Sequence, residues 1–326
     1  MKRTIYIVFV ILVVLTSCER QITYNGEVTE PKLVIQTEMQ AGRKEINCSV
    51  SHSAFFLDQP KSLLWIPSKG LILNVERENG ETVTMVDTLL HKPNDRFFVR
   101  LATPLEAGER VFIQASHPDY PTAFAADTIV PMPEFTISEC VWDSVKKVCR
   151  VSLRFGDNAD FHGILGIKGL FVYKEKRQGN QNYGEYRSKR IVSMDNIFLG
   201  LGNSFSSEEG YNTFGELFCM ADNARNKEVK VVLPPTVHVI GGRVKFQPDS
   251  VQITVLAHST VSYLFKKSLY SYFDATGVDE ANVGEFFSDI IGTEEVVQLY
   301  SNVENGYGVV AATTRKMQKI IFKAQE

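Results

Sequence analysis

Between Lys32 and Val130 short runs of β-branched, aromatic and aliphatic residues alternate with turn residues, and this rhythm restricts the chain more than any other feature. It predicts strands at 32–39, 45–50, 71–78, 82–87, 96–101, 110–115 and 123–129, an antiparallel β-sandwich of the immunoglobulin-like kind. The sharpest local signal is Asn79-Gly80. A two-residue type I′ turn needs positive φ at both positions, which Asn-Gly supplies at little steric cost. Such a turn places Leu73 opposite Val86 and Val75 opposite Thr84. Leu71, Leu73, Val75 and Val86 then share a buried face, and Asn74, Glu76, Glu78, Glu81 and Asp87 a wet one.

Val130-Pro131-Met132-Pro133 interrupts the rhythm. Two prolines at alternate positions remove backbone donors and hold the chain extended, so residues 131–134 read as a linker closing a first domain at 32–130. The remainder, 135–326, reads as a second, mainly-β domain with one or two helices. Its strands fall at 135–142, 148–155, 169–175, 187–194, 228–233, 243–246 and 251–257, and near the end at 296–300, 307–312 and 319–322. A helix is predicted over 259–275, where Val261, Leu264, Phe265, Leu269 and Tyr272 recur at helical spacing and Ser259 or Thr260 caps the start. A shorter helix is predicted over 279–291. The aromatic stripe Tyr263, Tyr270, Tyr272 and Phe273 suits core packing better than a carbohydrate platform. From Gly200 to Asn226 the chain reads as long loops carrying Phe205, Tyr211, Phe214, Leu217 and Phe218. Those aromatics mark either a binding surface, with Phe205, Tyr211 and Phe214 the candidates, or loops folded onto their own sheet.

The chain starts with Lys2 and Arg3, followed by an unbroken apolar run from Ile5 to Leu15. That run fits the roughly 7–15 residues of a signal h-region and falls short of the ~20 that span a membrane. Residues 1–17 therefore read as a signal peptide. Leu15-Thr16-Ser17-Cys18 matches the lipobox of bacterial lipoproteins, which implies cleavage before Cys18 and lipid attachment to it. An anchor of several acyl chains, at about 0.8 kcal/mol per buried methylene, holds a protein on a membrane durably. Residues 18–31 are polar and aperiodic, and read as the lipidated tether.

A net charge of -3 argues against nucleic acid as a partner, because neutralising phosphates needs a basic surface. Phosphate-binding loops, dinucleotide-binding glycine turns, the Gly-x-Ser-x-Gly elbow and His-Glu-x-x-His are all missing from the sequence. Gly163, Gly166 and Gly169 are spaced by threes without the helix start that would make a phosphate cradle. His52, His91, His117, His162, His238 and His258 stand apart from one another, so no cofactor or metal site is expected. Asp157-Asn158-Ala159-Asp160 lacks calcium-loop spacing and reads as a polar turn. Glu208-Glu209 and Glu294-Glu295 read as solvated faces.

With Cys18 used by lipid, Cys48, Cys140, Cys149 and Cys219 remain. Cys140 and Cys149 can form a disulfide across a hairpin turning near Ser144-Val145; the alternative is that all four are small buried hydrophobes. Four triplets, Asp87-Thr88-Leu89, Asp127-Thr128-Ile129, Asp143-Ser144-Val145 and Asp249-Ser250-Val251, resemble an O-glycosylation sequon of Bacteroidota secreted proteins.

Several stretches together resemble a Bacteroidota outer-membrane lipoprotein family described only as a domain of unknown function and typically encoded beside TonB-dependent receptors. They are Cys18-Glu19, Pro31-Lys32-Leu33-Val34-Ile35, Phe97 through Gly108-Glu109-Arg110-Val111, and Ala126-Asp127-Thr128-Ile129-Val130-Pro131. The most specific is Tyr300-Ser301-Asn302-Val303-Glu304-Asn305-Gly306-Tyr307-Gly308, which follows a helix bearing Tyr263-Leu264. The chain departs from the family at Val309-Val310-Ala311-Ala312, where a Gly-rich aromatic continuation is usual, and around Asp157, where tyrosines are expected. The resemblance implies a non-enzymatic accessory of a TonB-dependent nutrient uptake system, with the ligand unspecified and no catalytic residues. Adhesion or an envelope-structural role is the second expectation, and a secreted hydrolase assembled from separated residues the third.

Overall fold

The structure, a computed structural model, describes residues 30–53, 70–86, 97–157, 161–177, 184–193, 195–199, 215–235, 244–276 and 299–322. Seven strands form in the first part of the chain: β1 (Leu33–Met39), β2 (Glu45–His52), β3 (Ile72–Arg77), β4 (Thr82–Val86), β5 (Phe97–Arg100), β6 (Arg110–His117) and β7 (Tyr120–Thr128). One sheet runs β4-β3-β6-β7. The facing sheet runs β5-β2-β1 and is extended by β17 (Tyr307–Ile321), the last strand of the chain. β17 lies parallel to β1, from Val34 opposite Tyr307 to Met39 opposite Ala312. Val303, Val310 and Ala312 enter the same core as Leu33, Ile35, Leu73, Val75, Val111 and Ile113. Residues 32–130 supply most of this sandwich and the C-terminus supplies one of its strands.

The Asn79-Gly80 hairpin forms with a different turn. Glu81 O accepts from Arg77 N–H at 2.9 Å and Arg77 O from Gly80 N–H at 2.9 Å, so the connection spans Glu78, Asn79 and Gly80. Only Gly80, at φ +87, is left-handed there. One extra loop residue moves the register by one, pairing Leu73 with Met85 and Val75 with Val83. Val83 and Met85 therefore pack on the core, while Val86 pairs with Ile72, which faces outward.

The second part comprises β8 (Phe135–Asp143), β9 (Val148–Phe155), β10 (Ile164–Arg177), β11 (Gly184–Ser188), β12 (Val192–Ser193), β13 (Phe198–Leu199), β14 (Glu216–Met220), the short helix α1 (Ala221–Ala224), β15 (Glu228–Leu233), β16 (Val244–His258) and helix α2 (Thr260–Thr276). The sheet β12-β15-β9-β8 packs against β13-β14-β10-β16-β17, with β11 also on β10. The second half of β17 is antiparallel to β16, from Ser250 opposite Ile321 to His258 opposite Thr313. One strand thus belongs to both sandwiches.

Several expectations change. The strands expected at 243–246 and 251–257 join as β16 (Val244–His258), because the bulge at Asp249, between Ser250 opposite Val172 and Pro248 opposite Tyr173, shifts the register without ending the pairing. The strands expected at 307–312 and 319–322 likewise join as β17, which ends at Ile321. The stretch 187–194 divides between β11 and β12. Of the expected loop from Gly200 to Asn226, residues 216–220 form β14, with Glu216, Leu217, Phe218 and Cys219 buried, and 221–224 form α1. Residues 279–291 and 296–298 lie outside the described residues.

Candidate functional site

Helix α2 lies on the outer face of the larger sheet, and beneath it is a buried polar cluster. Ser259 caps the helix: its Oγ accepts from the Ser262 N–H at 3.0 Å, and its carbonyl accepts from the Tyr263 N–H at 3.0 Å. Ser262, Lys266 and Tyr270 follow at four-residue steps and so share one helix face. That face turns to Glu216, a residue wholly buried on β14. Glu216 Oε2 lies 3.0 Å from Lys266 Nζ, 3.2 Å from Lys168 Nζ and 3.2 Å from the Tyr270 hydroxyl. Its Oε1 accepts from His258 Nε2 at 2.8 Å. Side-chain exposure of both Glu216 and His258 is 0%. Of the residues read as core, Tyr270 and Tyr272 are buried with Tyr263 and Leu269 packed against them, while Val261, Leu264 and Phe265 are only half-buried and Ser262 is buried in their place.

Burial by itself would raise the Glu216 carboxyl, but the His258 hydrogen bond and the Lys266 and Lys168 charges outweigh it and hold the group well below the usual range. Burial lowers His258, outweighing the opposing pull of Glu216, so the ring is neutral. A neutral ring that donates from Nε2 has an acceptor at Nδ1, and the Ser262 hydroxyl donates to it at 3.0 Å. Thr313 Oγ1 lies 2.7 Å from Ser262 Oγ and donates to it, completing the set. Gly166 makes room: a Cβ there would stand 2.2 Å from Glu216 Oε1 and 2.7 Å from His258 Nε2. Among the three spaced glycines it marks a close approach. Gly163 and Gly169 sit against Phe161 and Leu233 in the same way.

Glu216, His258 and Ser262 have the composition of a hydrolytic triad, but the arrangement cannot present a nucleophile. Ser262 is 4% exposed, and its oxygen is already engaged by His258 and Thr313. What the cluster does is fix α2 on the sheet, with each buried polar group satisfied.

A second polar set joins the first sandwich to the shared strand. Asp127, on β7, accepts from Ala312 N–H at 2.7 Å and from the Ser259 hydroxyl through the same Oδ2. Burial raises its carboxyl against these hydrogen bonds. Asn302 accepts from Val310 N–H at 3.0 Å and donates to the carbonyls of Val310 and Ala126 at 3.0 and 3.2 Å. Thr314 Oγ1 donates to Val130 O at 2.7 Å, and Gln318 Nε2 to Phe135 O at 2.7 Å.

The C-terminal motif, Tyr300 to Gly308, is the docking device for β17. Ser301 Oγ accepts from Val303 N–H at 3.3 Å, Val303 enters the core, and Glu304 exchanges backbone hydrogen bonds with Phe124 at 2.9 and 3.2 Å. Tyr300 N–H is held by Ser268 Oγ at 2.8 Å. Asn305 takes φ 55, the left-handed turn expected of Asn-Gly. A Cβ on Gly306 would meet Leu33 O at 2.6 Å, and one on Gly308 would meet Ile35 O at 2.0 Å.

Sequence reading missed Arg77. It is only 2% exposed, on the inner side of β3, and its guanidinium reaches Glu81 at 2.6 Å, Glu109 at 2.8 Å, Thr103 Oγ1 at 2.7 Å and Pro104 O at 3.0 Å. Arg77 lowers the Glu109 carboxyl. The Ala102 amide, and then Arg77, lower Glu81. An Arg at an inward position of the strand, facing an acid across the Asn79-Gly80 turn, was the available signal.

Cys140 and Cys149 have their sulfurs 3.6 Å apart and unbonded, whereas Cys48 and Cys219 are buried singly. Phe205, Tyr211, Phe214 and Cys18 lie outside the described residues. Of the glycosylation-like triplets, Thr128 and Ser144 are exposed and Ser250 is buried. Asp157 pairs with Arg225 at 3.7 Å. An open, mostly polar cleft of about 530 Å³ lies where the linker enters the second sandwich, lined by Glu134, Thr136, Arg154, Asn226 and Lys316 among others. Among the described residues, no group of three or more His, Cys, Asp or Glu could hold a metal ion, and no helix is long and apolar enough to cross a membrane.

Two sandwiches built around one shared strand define a mainly-β protein in which Tyr300 to Gly308 docks that strand. The chain belongs to the family described as a domain of unknown function (DUF4249), whose sequence model matches residues 19–319. No curated protein matches it. Among solved structures it is similar to the two fibronectin type-III domain segment from chicken tenascin, at 9% identity, over 70% of this chain and 91% of that one. The TM-score is 0.20, so the fold is taken from the strand register and the cores.

Proposed function

We propose that the protein is an outer-membrane, surface-exposed lipoprotein that serves as a non-enzymatic accessory or binding component of a TonB-dependent nutrient uptake system. The observation that carries this is the leader: Lys2, Arg3, the apolar run to Leu15, and Leu15-Thr16-Ser17-Cys18 ahead of a polar tether that reaches the first strand at Leu33. Membership in the DUF4249 family fits this reading, through the resemblance to Bacteroidota lipoproteins encoded beside such receptors. A body with one strand common to both sandwiches suits a rigid binding or docking partner. The sealed state of the Glu216, His258 and Ser262 set supports binding over hydrolysis.

The test is purification of the native lipidated protein from its own membranes in mild detergent, with mass spectrometry of what accompanies it. A TonB-dependent barrel in near-equal amount is the expected result. Protein that comes out alone overturns the accessory role and leaves adhesion as the next reading. Cys18→Ser should release the protein from membranes, and persistent attachment would contradict the anchor.

A further inference from the structure

We infer that Cys140 and Cys149 are a disulfide-forming pair that covalently closes the β8–β9 hairpin, and that Cys48 and Cys219 take no part. In the register of the two strands Cys140 lies opposite Val151 and Trp142 opposite Cys149. The two cysteines are therefore diagonal neighbours on one face of the sheet, the face toward the second core. Their sulfurs are 3.6 Å apart, in contact, and the bond at about 2.05 Å forms as the two side chains and the strands that carry them draw together. Cys48 lies in the other core, and Cys219, on β14, contributes to the opposite sheet of the second sandwich. Among the described residues, it is Cys140 and Cys149 whose sulfurs meet.

Access favours the same pair. β8 is the edge strand of its sheet, and Cys140 is half-buried while Cys149 is buried. The thiolate of Cys140 attacks one sulfur of an external disulfide, releasing that molecule's first thiol and leaving a mixed disulfide on Cys140. Cys149, as thiolate, then attacks the Cys140 sulfur and releases the second thiol. Two protons leave the protein, and the two electrons lost by its thiols reduce the external disulfide. The bond ties together the base of a hairpin whose tip, Ser144 to Lys147, stands in solvent with Val145 89% exposed.

The experiment uses the folded mature chain equilibrated with mixtures of oxidised and reduced glutathione, quenched by alkylation and mapped after trypsin digestion. Cleavage at Lys146 and Lys147 separates the two cysteines, so a bridge appears as two peptides that part only on reduction. The expected result is a Cys140–Cys149 linked pair with Cys48 and Cys219 alkylated once the chain is unfolded, and a higher Tm for the oxidised form. In Cys140→Ser the linked pair and the redox-dependent Tm shift should both vanish. All four thiols remaining free in excess oxidised glutathione, or Cys140 and Cys149 appearing in other pairings, would overturn the inference. Because wild type is compared with itself, reduced and oxidised, the outcome stands even if a variant folds poorly.

Discussion

Asp127 Oδ2 accepts the backbone hydrogen of Ala312 at 2.7 Å, joining β7 to the middle of β17. The same oxygen receives the hydroxyl of Ser259, the cap of helix α2. One carboxylate thus holds together a sandwich, a strand shared by two sandwiches and the start of a helix. Asp127→Ala should strand the Ala312 amide and the cap at a cost of about 1–3 kcal/mol, read as a lowered urea midpoint. A midpoint equal to wild type would show that the joint is not needed.

Gly308 passes so close to Ile35 O that a methyl group cannot be accommodated, and its φ is +107. Gly308→Ala should break the start of the parallel β1–β17 ladder and cost about 3 kcal/mol or more. Gly42 is the control: its φ is +77 but no atom lies within 4 Å of an added Cβ. Gly42→Ala should cost only about 1–2 kcal/mol, from the backbone alone. Equal losses in the two variants would mean that contact with Ile35 contributes nothing.

The shared strand couples the two halves. The full chain should unfold in a single transition followed equally by calorimetry and by far-UV circular dichroism. A fragment of residues 30–130 should lack a cooperative transition by itself and gain one when a peptide of residues 300–314 is added. A fragment that melts cooperatively without the peptide would refute this.

Glu216 is a buried anion between two cations. Glu216→Gln keeps the shape but leaves Lys168 and Lys266 without their countercharge, and should destabilise by about 3 kcal/mol. Adding Lys266→Met should restore part of that loss, because the two changes act on one contact. Strict additivity in this double-mutant cycle would argue against direct coupling.

The pH dependence has a definite sign. His258 is lowered by burial, so its contribution is present above the ordinary histidine value of about 6.5 and is lost as pH falls through the lower, folded value. Glu216 is also lowered, and its contribution is lost further into acid. Asp127 is raised by burial and acts oppositely, its contribution declining as pH rises through the folded value. Urea midpoints should therefore fall as pH drops below about 6.5. His258→Gln should flatten that part of the profile, and an unchanged slope would show that the ring is already charged in the fold.

The strands of the first sandwich were legible because period-two alternation and turn residues are local properties. The existence of the Asn79-Gly80 hairpin was legible too, but its register was not. Whether Asn79 joins Gly80 in the left-handed region depends on the sheet that receives the strands, and one loop residue decides which side chains meet. Helix α2 and the burial of Tyr270 and Tyr272 were legible from its apolar spacing, but the inward turn of Ser262 and Lys266 was not, since it depends on the buried Glu216 and His258. Glu216 itself was hidden in a segment that reads as loop.

The sequence by itself determined the mainly-β class and the helix after Ser259, both of which are written in neighbouring residues. The partner of the last strand was decided only in three dimensions. Val309 to Thr314 is buried on both faces, so it shows no alternation to reveal which sheets will flank it. That choice is made by Asp127, Asn302 and the missing side chain at Gly308, which come together only when distant parts of the chain have folded.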